Sequence, residues 1–126
     1  MAEQQESTQP RSALLPGRRS LLVRLTAVAG MRPALLDLLN TYADGLAEEP
    51  GTEVFIVSMD PDDVNIVWLY EIFHDDDAQN DHRAAEGFAQ LMTELPDVLG
   101  APPAILRLDP LRMSVQEQVL SEDLTF

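Results

Sequence analysis

Apolar and polar residues alternate along the middle of the chain in two patterns, one typical of strands and one typical of helices. Four short segments rich in β-branched and other apolar residues are bounded by Gly, Pro or Asp, which predicts four strands, at 20–28, 52–59, 65–74 and 104–108. Between them, apolar residues recur every three or four positions. This spacing predicts one helix that begins near Pro33 and ends before Pro50, and another that follows Asp75 and ends at Pro96, with Gly87 as a point where it divides.

The predicted order of elements is β-α-β-β-α-β, which is the ferredoxin-like arrangement of an α+β protein with an antiparallel sheet. We expect this domain to span residues 20–112. Residues 1–19 are polar and contain two prolines, so they are predicted to be a flexible arm. Residues 113–126 form a tail, in which the capping-box spacing of Ser114 and Glu117 favours a short helix.

The third predicted strand is apolar on both faces, which has a consequence for assembly. Trp68, Tyr70 and Ile72 point to one side, whereas Val67 and Leu69 point to the other. Two helices cover only one side of the sheet, and soluble monomers avoid leaving a large apolar patch in water. We therefore predict a homodimer in which a second sheet covers the first.

Composition excludes several classes of function. The chain has 22 acidic and 8 basic residues and a formal charge of −14, which disfavours nucleic acid and anionic membranes as partners. It contains neither Lys nor Cys, which excludes lysine and thiolate nucleophiles and thiolate metal sites. No apolar run approaches the roughly 20 residues that span a bilayer, so a soluble cytoplasmic protein is the default expectation.

The segment from Glu49 to His82 carries a more specific signal. Glu49-Pro50-Gly51 follows the first helix, and Tyr70-Glu71-x-Phe73-x-Asp75 and then His82 follow the hairpin. In order and spacing these pieces resemble the antibiotic biosynthesis monooxygenase domain family, over roughly residues 21–111. The resemblance implies a dimeric ferredoxin-like α/β barrel and suggests oxygenation of a quinol, an anthrone or a polyketide phenol without a cofactor. A second His found in many members is Gly87 in this chain.

Glu71 and His82 are the strongest candidates for catalysis. Glu71 interrupts an apolar strand, and a buried carboxylate needs a partner or its pKa rises. His82, on the following helix, faces the same side of the sheet. A Glu–His pair orients the imidazole as a base that removes a proton from a phenol or an acidic C–H. A purely structural tie between strand and helix is the competing interpretation.

Other side chains complete the predicted site. Arg24 and Arg107 lie on neighbouring strands, where an Arg either stabilises a substrate anion or closes a structural ion pair; we assign Arg24 to the catalytic set. Aromatic and apolar residues facing the helices are predicted to line a substrate pocket, namely Tyr42, Leu69, Phe73 and Phe88. The aspartates near His74 lack the spacing of a hard-cation loop, so we expect no metal.

These observations predict a cofactor-independent monooxygenase that oxidises an electron-rich aromatic substrate with O2. Two alternatives stay open. One is a non-oxidative isomerase or cyclase that acts on a polyketide-like intermediate with the same base. The other is a dimeric binding protein without catalysis.

Overall fold

The computed structural model of the protein describes residues 10–119, which divide into two compact units. The larger unit, residues 17–109, contains four strands and three helices. In chain order these are β2 (Arg19–Thr26), α1 (Arg32–Asp44), β3 (Thr52–Met59), β4 (Ile66–Phe73), α2 (Asp76–Ala84), α3 (Glu86–Glu94) and β5 (Ala104–Leu108), with short 3-10 helices at Leu46–Glu48 and Leu95–Asp97. Strand β1 (Pro10–Leu14) belongs to the smaller unit.

The four strands form one antiparallel sheet in the order β3-β4-β2-β5. This order, with two helical connections on one face, confirms the ferredoxin-like α+β fold. The core lies between this face and the helices. Leu35 and Leu39 of α1 and Val67 of β4 are fully buried there, and Leu69 of β4 and Val23 of β2 are buried beside them. The strand register therefore agrees with the predicted division of β4 into two faces.

The second helical segment begins as the sequence predicts and divides two residues earlier than predicted. The Asp75 side chain accepts a hydrogen bond of 2.8 Å from the Ala78 amide, which caps α2. The break falls at Ala85, whose ψ of 143° is extended, and Gly87 lies inside α3. His82 thus occupies the last turn of α2, where the helix dipole favours a positive charge.

The opposite face of the sheet is largely apolar. Register places Leu22, Trp68 and Tyr70 on this face together with Ile56 of β3 and Leu106 of β5. Ile56 is 49% exposed and Leu106 is 59% exposed. In the larger unit, this face therefore presents the apolar surface that the sequence predicted.

The smaller unit contains a pair of strands that the sequence pattern did not predict. Strand β1 (Pro10–Leu14) pairs antiparallel with β6 (Arg112–Gln116), and the Ser12 and Ser114 hydroxyls lie 2.6 Å apart. Ser114 is therefore a strand residue, not a helix cap, because pairing with a distant segment satisfies its backbone. Residues 1–9 of the predicted flexible arm (1–19) and residues 120–126 of the predicted tail lie outside the described residues. In the described part of the predicted arm, β1 spans Pro10–Leu14 and Arg19 begins β2. Within residues 10–119, no helix is long and apolar enough to cross a membrane.

Candidate active site

Glu71 is a buried carboxylate on the helix-covered face of β4. The strand alternation places it between Leu69 and Phe73, and the residue is only 5% exposed. Burial, reinforced by the negative charge of Glu49, raises the pKa of Glu71 from its usual value of 4.5 to about 7. Its proton therefore comes off near neutral pH, where a carboxyl group can act as an acid or a base.

His82 lies between two glutamates. Its Nδ1 is 2.7 Å from Glu49 Oε1, and its Nε2 is 3.7 Å from Glu71 Oε1. The short contact assigns the proton to Nδ1, which donates to Glu49, so the Nε2 of the neutral ring carries the lone pair. The contact to Glu71 is too long for a hydrogen bond. Nε2 is thus oriented toward Glu71 and is available to accept a proton.

Glu49 is the buried anchor of this arrangement. The Tyr42 hydroxyl donates to Glu49 Oε1 at 2.9 Å, and the Thr52 hydroxyl donates to the same oxygen at 3.1 Å. The Tyr42 hydroxyl also lies 2.8 Å from His82 Nδ1. Burial and the hydrogen bond to Glu49 raise the pKa of Tyr42, so its phenol stays protonated. Because three donors converge on one oxygen, Glu49 is held in a single position.

The sequence interpretation missed this role of Glu49. It expected Glu71 to orient His82, whereas the ring is oriented through Nδ1 by Glu49, and Glu71 faces the other ring nitrogen. The signal was present in the sequence as a glutamate before Pro50-Gly51. Only the fold shows that this turn ends beside the last turn of α2.

Gly51 allows α2 to pack close to that turn. A Cβ atom at Gly51 would lie 2.5 Å from the Ala78 Cβ, which is closer than real methyl groups approach. The Gly51 carbonyl also accepts a hydrogen bond of 2.8 Å from the His74 amide. The Glu49-Pro50-Gly51 motif therefore combines the residue that binds His82 with the residue that lets the helix bearing His82 come near.

A cavity of about 380 Å3 opens beside these groups, between the sheet and the helices. Glu71 and His82 line it, together with Tyr42, Leu69 and Phe88 from the predicted pocket. The remaining wall is mainly apolar, with side chains from β2, β3, β5, α1 and α3. The structure thus brings together five of the seven predicted site residues around one space large enough for a small organic molecule.

The other two predicted residues lie elsewhere. Phe73 is fully buried and packs on the imidazole of His82, with ring centroids 5.0 Å apart, so it supports the ring and does not line the cavity. Arg24 pairs in register with Trp68 and lies on the opposite face of the sheet, because side chains alternate along β2. Arg107 lies instead in register with Leu21 and lines the cavity. The assignment of Arg24 to the site does not agree with this geometry.

Within residues 10–119, no group of three or more His, Cys, Asp or Glu side chains is arranged to hold a metal ion.

A comparison of the chain with known families identifies one that includes the residues of this site. The family described as antibiotic biosynthesis monooxygenase matches residues 19–94, which include Glu49, Glu71 and His82. The chain belongs to the antibiotic biosynthesis monooxygenase family. The match ends with α3, so it covers the cavity except for the part contributed by β5 and the segment before it.

Several solved structures share the fold of this chain. Rv0793 from Mycobacterium tuberculosis is 21% identical, with a TM-score of 0.69 over 75% of this chain and 95% of that chain. PA3566 from Pseudomonas aeruginosa is 22% identical, with a TM-score of 0.70 over 79% and 99%. A protein from Caulobacter crescentus CB15, named as a candidate member of the monooxygenase family, is 17% identical, with a TM-score of 0.72 over 78% and 93%. These identities are low, so the three structures support the fold alone. A comparison with curated proteins finds no match.

Proposed function

We propose that this member of the antibiotic biosynthesis monooxygenase family oxidises an electron-rich aromatic substrate, such as a quinol, an anthrone or a polyketide phenol, with O2 and without a cofactor. The observation that carries the proposal is an apolar cavity whose wall includes three buried titratable side chains, those of Tyr42, Glu71 and His82. An apolar cavity with a base is what a substrate needs if it is to be deprotonated and then to react directly with oxygen.

In the proposed first step, His82 Nε2 accepts a proton from a phenol or an acidic C–H of the substrate. Glu49 holds Nδ1 at 2.7 Å and stabilises the positive ring that forms. The ionised form of Glu71, 3.7 Å from Nε2, stabilises the same charge. Two carboxylates on either side of one imidazole thus favour proton transfer to the ring above the pKa of Glu71.

The substrate anion then supplies the electrons for oxygen. One electron passes from the anion to O2, and the resulting superoxide and substrate radical combine into a peroxide. The peroxide loses water as its O–O bond breaks, which leaves one oxygen atom as a new carbonyl in the product. For a substrate CH2 group the balance is CH2 plus O2 giving C=O plus H2O, and the substrate provides all four electrons.

We also propose that a second copy of the chain covers the exposed sheet face. Leu106 and Ile56 contribute apolar surface there that is more than 45% exposed in each case, beside the half-buried rings of Trp68 and Tyr70. Antiparallel sheets with two apolar faces need cover on both. The cytoplasmic location expected from the sequence remains a prediction.

The test of the proposed activity is oxygen uptake with anthrone and quinol substrates, measured with an oxygen electrode. The wild-type chain should consume one O2 for each substrate oxidised. His82→Ala and Glu71→Gln should each lower the rate by about 100-fold or more, the range of general base catalysis. His74→Ala is the matched control, because His74 is the other histidine of the chain and its exposed side chain bonds Glu53 outside the cavity.

The outcomes separate the alternatives. If His82→Ala and Glu71→Gln both leave turnover intact, the assignment of the base is wrong. If the substrate is converted without oxygen uptake, the chain is an isomerase or a cyclase with the same base. The rate should also rise with pH through about 7, as Glu71 ionises, and lose this dependence in Glu71→Gln.

A further inference from the structure

Two arginines stand where the apolar cavity meets a second, polar cavity of about 380 Å3. Arg83 of α2 and Arg107 of β5 line both cavities, as do Leu21 and Gln79. Arg83 directly follows His82 in the chain. The base His82 and the two guanidinium groups therefore line one and the same cavity.

The acidic side chains of the polar cavity are directed to a third arginine. Arg19 lies 2.8 Å from Asp76 and 3.6 Å from Asp109, and these are the acidic residues that line this cavity. Arg19 therefore offsets one of their two negative charges.

The positive charges of Arg83 and Arg107 are not paired with a carboxylate in the part of the chain that the structure describes. Among residues 10–119, neither forms an ion pair, and Arg83 donates one hydrogen bond of 2.7 Å to the neutral amide of Asn80. Both side chains belong to exposed residues. The chain as a whole has a charge of −14, whereas this opening carries two positive side chains without an ion-pair partner among residues 10–119.

Strand register sets the distance between Arg107 and Glu71, which both line the apolar cavity. Arg107 pairs with Leu21, and Leu21 pairs with Glu71, so the three lie in one row across β5, β2 and β4. Neighbouring strands are about 4.8 Å apart, which separates the α-carbons of Arg107 and Glu71 by about 10 Å. The side chain between them is apolar, which suits the flat body of an aromatic ring system.

We propose that the substrate is an aromatic acid, whose reacting hydroxyl or C–H lies at His82 and Glu71 and whose carboxylate lies at Arg83 and Arg107. The inference rests on the proposed function, because it takes the cavity as the substrate site. Guanidinium groups bind carboxylates through paired hydrogen bonds. Repulsion by Glu71 disfavours the reversed orientation.

The test is calorimetric binding, without oxygen, of a matched pair of probes: a dihydroxynaphthoic acid and the dihydroxynaphthalene that lacks its carboxyl group. The acid should bind the wild-type chain about tenfold more tightly, as one charge-assisted contact provides. Arg107→Gln and Arg83→Gln should each reduce this preference and together remove it. Arg24→Gln, which removes the same charge from the opposite face, should preserve it.

Three outcomes of the binding experiment would contradict the proposed carboxylate site. Equal affinity for the two probes, no binding of either, or a preference that survives the double substitution would overturn the proposal. Binding is measured apart from turnover, so the two proposals fail separately. A carboxylate preference without oxygen uptake would leave this inference standing and remove the proposed oxygenase activity. Oxygen uptake with equal affinities would do the reverse.

Discussion

Replacing Glu71 by Gln should make the folded protein more stable at high pH. In the folded chain, burial holds the pKa of Glu71 at about 7, compared with its usual value of 4.5. Between these values the folded state binds more protons than the unfolded state, so stability falls as pH rises through this range. At about 1.4 kcal/mol per pKa unit, the full cost above pH 7 is about 3 kcal/mol. Gln at this position resembles the protonated acid and carries no such cost.

The assay is urea denaturation of both proteins at about pH 5 and about pH 9, at one fixed protein concentration. The free energy of unfolding of Glu71→Gln, relative to wild type, should increase by about 2 to 3 kcal/mol between the two pH values. Glu53→Gln is the control, because the hydrogen bond from Arg18 lowers the pKa of Glu53 below its usual 4.5, so the stability of this variant relative to wild type should change little between the two pH values. If the difference in the free energy of unfolding between Glu71→Gln and wild type does not change with pH, the reasoning is refuted.

Three further predictions follow from contacts of the same unit. Gly51→Ala should lower the free energy of unfolding by about 1–3 kcal/mol, since the added methyl group forces α2 away. Gly87→Ala should be nearly neutral, because the atom nearest to its added methyl group is 3.8 Å away. Thermal or urea denaturation measures both effects. Tyr42→Phe should cost about 1–2 kcal/mol in the same assay, because the buried Glu49 loses one of its donors. Leu106→Glu should halve the mass measured by light scattering, because it places a charge in the proposed dimer face.

Each of these predictions has a contrary result. Equal stability losses for the two alanine substitutions would show that close packing of Gly51 is not the cause. An unchanged stability of Tyr42→Phe would mean that the hydroxyl does not support Glu49. A wild-type chain that is already monomeric, or a dimer that persists in Leu106→Glu, would contradict the proposed assembly through this face.

Much of the fold follows from local signals in the sequence. Alternation of apolar residues defined the strands of the larger unit to within one or two residues at each end. Pro33 and Asp75 marked the starts of helices, because ring geometry and side-chain capping act within one turn. Pairing of β1 with β6 was not predicted, because a strand pair depends on contacts between segments about 100 residues apart and leaves little local pattern.

For the candidate site too, some features could be predicted from the sequence and others could not. The sequence by itself determined that Glu71 is buried, because it interrupts an apolar strand, and that His82 faces the same side. Only the tertiary structure decided that Glu49 holds His82, and that Arg107 rather than Arg24 reaches the cavity. The physical reason is that burial follows from the residues next in the chain, whereas a hydrogen-bond partner depends on which turn and which strand face the fold brings near.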